Sequence, residues 1–166
     1  NVALIEEKRS KLGVVFTPVS DELFFGLEGL GAFKAIGKNV KDCNSMDEVM
    51  QISNKIHVAT RFENPNVMVS RSHLDEKTLA FITEIEKEKG IKTKQVPAGS
   101  SLKICRIAEG KAFMYPRFGR TMEWDIAAGN AVLSAAGGKI VDIEQGHELI
   151  YNKEDLAING FIAWNE

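Results

Sequence analysis

A chain of 166 residues, 44% of them hydrophobic, can bury one good core or two small ones. With a net charge of −2 and a pI near 6.0 it has no bulk electrostatic reason to grip polymeric nucleic acid, so any phosphate must be held by a few placed groups. Cys43 and Cys105 form neither a disulfide framework nor a metal spacing and read as buried thiols of a cytoplasmic protein; no apolar run approaches a membrane span and no signal peptide is visible.

The first forty residues predict an antiparallel meander. Val2–Ile5 is one strand, Glu6–Lys11 a charged turn, and Leu12–Thr17 a second strand closed by Pro18. Glu22–Leu27 and Ala32–Ile36 are the third and fourth. The entry at Asn1 straight into a strand is expected of a chain cut inside a domain. Asn39–Asn54 reads as a linker with at most a short turn of helix, and Lys55–Ala59 as a further strand. Glu63-Asn64-Pro65-Asn66 marks a turn and a boundary between a unit over 1–62 and a unit over 63–166.

Strands and helices then alternate, which implies a layered α/β unit. Val67–Ser70 is a strand. Asp75–Lys89 is a helix with Leu79, Ile82 and Ile85 on its apolar face, ended by Gly90. Ile91–Val96 is a strand, Ser100–Glu109 a helix, and Lys111–Tyr115 a strand. Asp125 stands where another helix begins, with Ile126, Ala127, Val132, Leu133 and Ala136 at helical spacing. Gly137 ends that helix, and Lys139-Ile140-Val141 is the next strand.

Three segments carry residues suited to chemistry. Asp125 in Trp124-Asp125-Ile126-Ala127-Ala128-Gly129 either caps backbone N–H groups, holds a metal ion, or does both. Ser70-Arg71-Ser72-His73, at a strand end, offers hydroxyls, a guanidinium and an imidazole to a phosphate or nucleotide; the alternative is a helix cap with a solvated Arg and His. Gly99-Ser100-Ser101-Leu102-Lys103 turns into a helix, where Ser100 and Lys103 share one side and suit an anion; the alternative is a plain cap and a lysine in water. Arg117 could close a phosphate-binding rim, whereas Arg120 reads as surface charge. His57 and His147 read as structural or solvated, and Phe24, Phe25, Phe33 and Phe113 as core.

Trp-Asp-x-Ala-Ala-Gly with the downstream Ala136-Gly137-Gly138 resembles the C-terminal signature of the inositol monophosphatase superfamily. Ser-Arg-Ser-His together with Gly-Ser-Ser-Leu-Lys is similar to its 3'(2'),5'-bisphosphate nucleotidase branch. The likeness extends along the meander and the tail, Tyr151–Leu156 and Asn159–Ala163. It implies an α/β (α+β) layered sandwich of the sugar-phosphatase type. It also implies magnesium-dependent, lithium-sensitive removal of the 3'-phosphate of adenosine 3',5'-bisphosphate, yielding AMP, in sulfur assimilation and nucleotide salvage. By the same resemblance Ser72, His73, Ser100, Lys103 and Arg117 contact the nucleotide and its retained phosphate. Asp125 is the catalytic residue and Mg2+ ligand, and touches the substrate. The partner implied is a small nucleotide, with no polymeric nucleic acid and no membrane; a homo-oligomer is left open.

The sequence departs from that pattern at one place. The family's Asp-Pro-x-Asp-Gly-Thr motif and its upstream Glu, which supply most metal ligands, have no match, and the chain contains no Asp-Gly pair. The expectation is an N-terminally truncated chain, inactive alone. Two alternatives stand beside it: an inositol or sugar monophosphatase of the same superfamily, and a nucleotide-binding fragment without metal chemistry.

Overall fold

Alternating apolar and small residues over the first 56 positions form an antiparallel meander with two unlike faces. The strands are β1 (Val2–Glu6), β2 (Arg9–Thr17), β3 (Glu22–Leu27), β4 (Gly31–Ile36) and β5 (Asn54–Ile56), each paired with the next. The computed structural model describes residues 1–63, 65–71 and 74–165. The charged turn expected over Glu6–Lys11 contracts to Glu7 and Lys8, whose φ angles of 49° and 60° let the chain reverse within two residues. The linker between β4 and β5 holds more helix than expected: α1 (Gly37–Val40) and α2 (Met46–Gln51), the latter capped by Ser45, which accepts from the Glu48 N–H at 3.3 Å.

Strand register assigns the two faces. Val2, Val14, Phe25 and Phe33 stand opposite one another on the outer face; Ala3, Gly13, Gly26 and Ala32 stand opposite one another on the inner. The outer face is partly bare, with Val2 67%, Leu4 54% and Phe16 47% exposed.

The second sheet runs β10 (Lys139–Asp142), β12 (Phe161–Trp164), β8 (Met114–Arg117), β6 (Asn66–Ser70), β7 (Lys94–Ala98). It is mixed. β6 lies parallel to β7 and β8, whereas β12 is antiparallel to β8 and β10. A two-stranded ribbon, β9 (Thr121–Met122) with β11 (Ala157–Ile158), stands apart. β6 is buried on both faces: Val67 and Val69 join Ile82 and Ile85 of α3 (Glu76–Lys89), and Met68 joins the main core. Asp75 caps α3 by accepting from the Thr78 N–H at 2.7 Å, and Gly90 ends it at φ 64°. Leu79, expected on the apolar face of α3, is instead exposed, and Thr78 takes the buried place. Cys105 is buried as expected, but Cys43 is only half-buried, because the linker it sits on covers little. His57 and His147 are exposed.

Between the sheets lie α4 (Leu102–Ala108) and α5 (Glu123–Ala135). The layers are therefore sheet, helix pair, sheet, helix. The sheets divide the chain between residues 56 and 66, yet one core draws on both: Val15, Phe24 and Ala32 pack with Ile104, Val132 and Tyr115. α5 can lie directly on the meander only because of two glycines. A Cβ on Gly13 would overlap the Ala128 carbonyl, and one on Gly26 would sit 2.8 Å from Val132 Cα. The small residues after Trp124 serve the same packing, since Ala127, Ala128, Gly129 and Ala131 are all buried.

A half-buried ion network ties α4 to the meander. Glu22 receives Lys34 Nζ at 2.5 Å and Arg106 Nη2 at 2.7 Å; Glu109 receives Lys34 at 2.8 Å and pairs with Arg106 as well. Both cations stand near the Phe24 ring, Lys34 Nζ at 5.1 Å and Arg106 Cζ at 5.8 Å from its centroid. Hydrogen bonding from Arg106, helped by Lys34, holds the Glu22 carboxyl well below the usual range despite burial.

Candidate active site

Parallel strands β6, β7 and β8 all point their carboxyl ends the same way, and a cavity of about 250 Å³ opens there. Each element delivers a side chain to it. Ser70 and Arg71 come from the end of β6, and Ala98, Gly99 and Ser100 from the turn after β7. Lys103 comes from the first turn of α4, Tyr115 and Arg117 from β8, and Thr121, Asp125 and Ile126 from the approach to α5. Of the residues singled out in the sequence, Ser100, Lys103, Arg117 and Asp125 are thus brought together. Ser72 and His73 lie outside the described residues. Arg120 is exposed and not among the lining residues.

Lys103 is 3% exposed, so it is not a lysine in water. Its Nζ donates to the carbonyls of Ser100 at 3.0 Å and Ala98 at 3.3 Å and stands 4.7 Å from the centroid of the Tyr115 ring. No carboxylate of the described residues pairs with it. Burial, with Arg117 and Arg71 nearby, lowers its pKa to about 8. Lys34 and Lys153 differ: each is held by a glutamate.

Ser100 does not cap α4. Its φ of 49° belongs to a tight turn, and Ser101 precedes the first helical residue. The Ser101 hydroxyl donates to the Asp125 carbonyl at 2.9 Å, and Asn1 Nδ2 donates to that hydroxyl at 2.6 Å, which fixes the start of α4 against the start of α5. Gly99 leaves room for Arg71: a Cβ there would meet Nη2 at 2.7 Å.

Asp125 is the third residue of α5, not its cap, because α5 begins two residues earlier at Glu123. Its carboxylate is exposed to the cavity and reaches back to the Thr121 hydroxyl at 3.1 Å and the Met122 N–H at 3.4 Å. Glu123 is turned away and buried, accepting from the N–H groups of Asn152 and Lys153. Trp124 is 59% exposed at the head of the helix.

The cavity therefore sets three cations, Arg71, Lys103 and Arg117, against one carboxylate, Asp125. Such a balance suits an anion such as a phosphate, and the exposed Asp125 carboxylate, which accepts from Thr121 and Met122 through Oδ2, is the one acidic group there that suits a cation. It does not make a magnesium site by itself. Mg2+ asks for near-octahedral oxygen coordination, and among the described residues no group of three or more His, Cys, Asp or Glu could hold a metal. Tyr115 was not foreseen as a site residue. The available signal was its place two residues before Arg117 on one strand, which puts both on one face.

A sheet–helix–sheet–helix sandwich with this cavity at its strand ends matches the Inositol monophosphatase family, whose sequence profile covers residues 1–165. The chain belongs to that family. It is 34% identical over 159 residues to the 3'(2'),5'-bisphosphate nucleotidase CysQ of Salmonella typhimurium, a stretch that is 96% of this chain and 56% of that protein. It is 41% identical over 140 residues to CysQ of Buchnera aphidicola, covering 84% of this chain and 46% of the relative. The crystal structure of CysQ from Bacteroides thetaiotaomicron superposes with a TM-score of 0.88 at 38% identity, covering 98% of this chain and 60% of that one. The chain thus spans about half the length of the curated relatives it matches.

Proposed function

We propose that this chain is the nucleotide-binding part of a magnesium-dependent phosphoric monoester hydrolase that removes the 3'-phosphate of adenosine 3',5'-bisphosphate, leaving AMP and phosphate. One observation carries the reading: Lys103 is a buried ammonium held by two backbone carbonyls and paired with no carboxylate of the described residues, and the cations Arg71 and Arg117 share its cavity. A fold gains nothing from such a charge unless an anion arrives to share it. The naming of the Salmonella and Buchnera relatives supports a bisphosphate nucleotide as that anion. Phosphoryl transfer relies on positioning and on neutralising charge. Here Lys103, Arg117, Ser100 and Arg71 grip the nucleotide's phosphate, and Ser72 and His73 add contacts to the nucleotide.

Asp125 supplies one magnesium ligand in this reading, and the remaining carboxylates belong to the portion of the relatives that this chain does not span. It follows that residues 1–166 alone bind but do not turn over. A cytoplasmic place in sulfur assimilation, and inhibition by lithium, accompany the assignment.

The test is calorimetry of AMP and of inorganic phosphate with a chelator present. Binding is expected, and Lys103→Ala abolishes it. No binding, or binding untouched by that substitution, overturns the assignment. With millimolar magnesium and adenosine 3',5'-bisphosphate, no phosphate release is expected; steady turnover would sink the single-carboxylate argument. If the same portion of a relative is supplied to restore turnover, preference for inositol 1-phosphate would move the assignment to an inositol phosphatase.

A further inference from the structure

We propose that Tyr115 is a positioning residue for Lys103, its ring face holding the ammonium in the cavity without neutralising it, so that the charge stays available to an incoming phosphate. The proposal rests on the phosphate reading above and deepens it.

A lysine stem is flexible, and a buried ammonium needs partners. Two N–H bonds of Lys103 are spent on the carbonyls of Ala98 and Ser100. The Tyr115 ring supplies the remaining wall, 4.7 Å away. A carboxylate in that place would hold the ammonium more strongly, but it would compete with the phosphate for the charge. Glu123 does hold Lys153 in this way, at 2.7 Å, and neither residue is among those that line the cavity. A π face attracts a cation while carrying no net charge, so it steadies Lys103 and leaves its full charge for the ligand.

The ring itself is fixed. Tyr115 is buried on β8, and Phe161 of β12 packs edge-on to it, with centroids 5.3 Å apart and planes at 85°. Phe161 is paired to Arg117, two residues along the same strand. The strand that brings the outer cation, Arg117, thus also brings the ring that holds the inner one.

The experiment uses the 166-residue chain with Tyr115→Phe and Tyr115→Leu, inorganic phosphate as probe, and proton NMR. The Lys103 ε-methylene signals, identified by their loss in Lys103→Met, should be shifted upfield by the ring in the wild-type protein and in Tyr115→Phe. Phosphate affinity should fall about tenfold in Tyr115→Leu and clearly less in Tyr115→Phe, which keeps the ring and gives up only the phenol's hydrogen bond with Arg117. Unshifted methylene signals in the wild-type protein overturn the proposal, whether or not Tyr115→Leu folds. Full affinity in a folded Tyr115→Leu also overturns it while leaving the phosphate reading standing. Absence of phosphate binding in the wild-type protein removes both.

Discussion

Replacing Lys103 by Met should make the protein more stable while removing the proposed phosphate site. The wild-type pKa, lowered from 10.5 to about 8 by burial and by Arg117 and Arg71, means that the charged form costs the fold about 3 kcal/mol at neutral pH. Met also leaves the Ala98 and Ser100 carbonyls without the lysine's hydrogen bonds, which takes back about 1–2 kcal/mol of that. Met keeps the apolar stem and drops the charge, so a gain of about 1 kcal/mol is expected at pH 7. The sign with pH follows from proton counting. Between pH 8 and 10.5 the unfolded chain keeps the lysine proton and the folded chain releases it. Wild-type stability therefore rises over that window relative to the variant, and the advantage of Met shrinks and then reverses. Urea unfolding of both proteins at pH 7, 8.5 and 10 measures this directly. The same charge predicts proton uptake by Lys103 when phosphate binds at pH 8, where the free ligand is already mostly the dianion, read from calorimetry in buffers of different ionisation enthalpy. A variant less stable than wild type by more than about 1 kcal/mol at pH 7, or binding without uptake at pH 8, would refute the picture of a strained ammonium.

Two further outcomes concern the frame that holds the site. Gly13→Ala or Gly26→Ala forces α5 off the meander, since the added methyl meets helix backbone rather than a yielding side chain; a loss of about 3 kcal/mol or more is expected in urea unfolding, and a loss under 1 kcal/mol would contradict the close approach. The Glu22–Lys34–Arg106–Glu109 network should make the protein acid-sensitive. Hydrogen bonds from Arg106 and Lys34 hold Glu22 low, and the same cations hold Glu109 low against the burial that pushes it up. Both depressed carboxylates contribute stability that is complete above the unfolded value of about 4.5 and drains away as pH falls below it. Glu22→Gln should lose about 3 kcal/mol at pH 7, by leaving Arg106 and Lys34 short of a partner, and should flatten the acid slope; an unchanged slope between pH 5 and 3 would exclude the network as its source.

The chain's local grammar was plain to read. Period-two alternation gave the meander strands, and Asp75 and Gly90 bracketed α3, because caps and side-chain alternation act over a few residues. The class of fold followed from the switch between strand-only and strand–helix rhythm. The phrase from Trp124 to Gly129 identified the family, but mostly through residues whose work is packing: Ala128 and Gly129 are small because α5 is squeezed between a sheet and α4. Within it Asp125 and Ile126 line the cavity, and Asp125 alone of the two brings a charge.

What the sequence could not decide was environment. Lys103 reads the same whether it points to water or into the core, and Leu79 fits a helical apolar stripe although it ends up exposed. Both outcomes depend on which neighbours close over the residue, and those neighbours are distant in sequence. Tyr115 meets Lys103 only because β8 lies beside β6 and beneath α4. A side chain's charge is written in its residue type. The strength and availability of that charge are set by the dielectric and the partners around it, and folding alone supplies these.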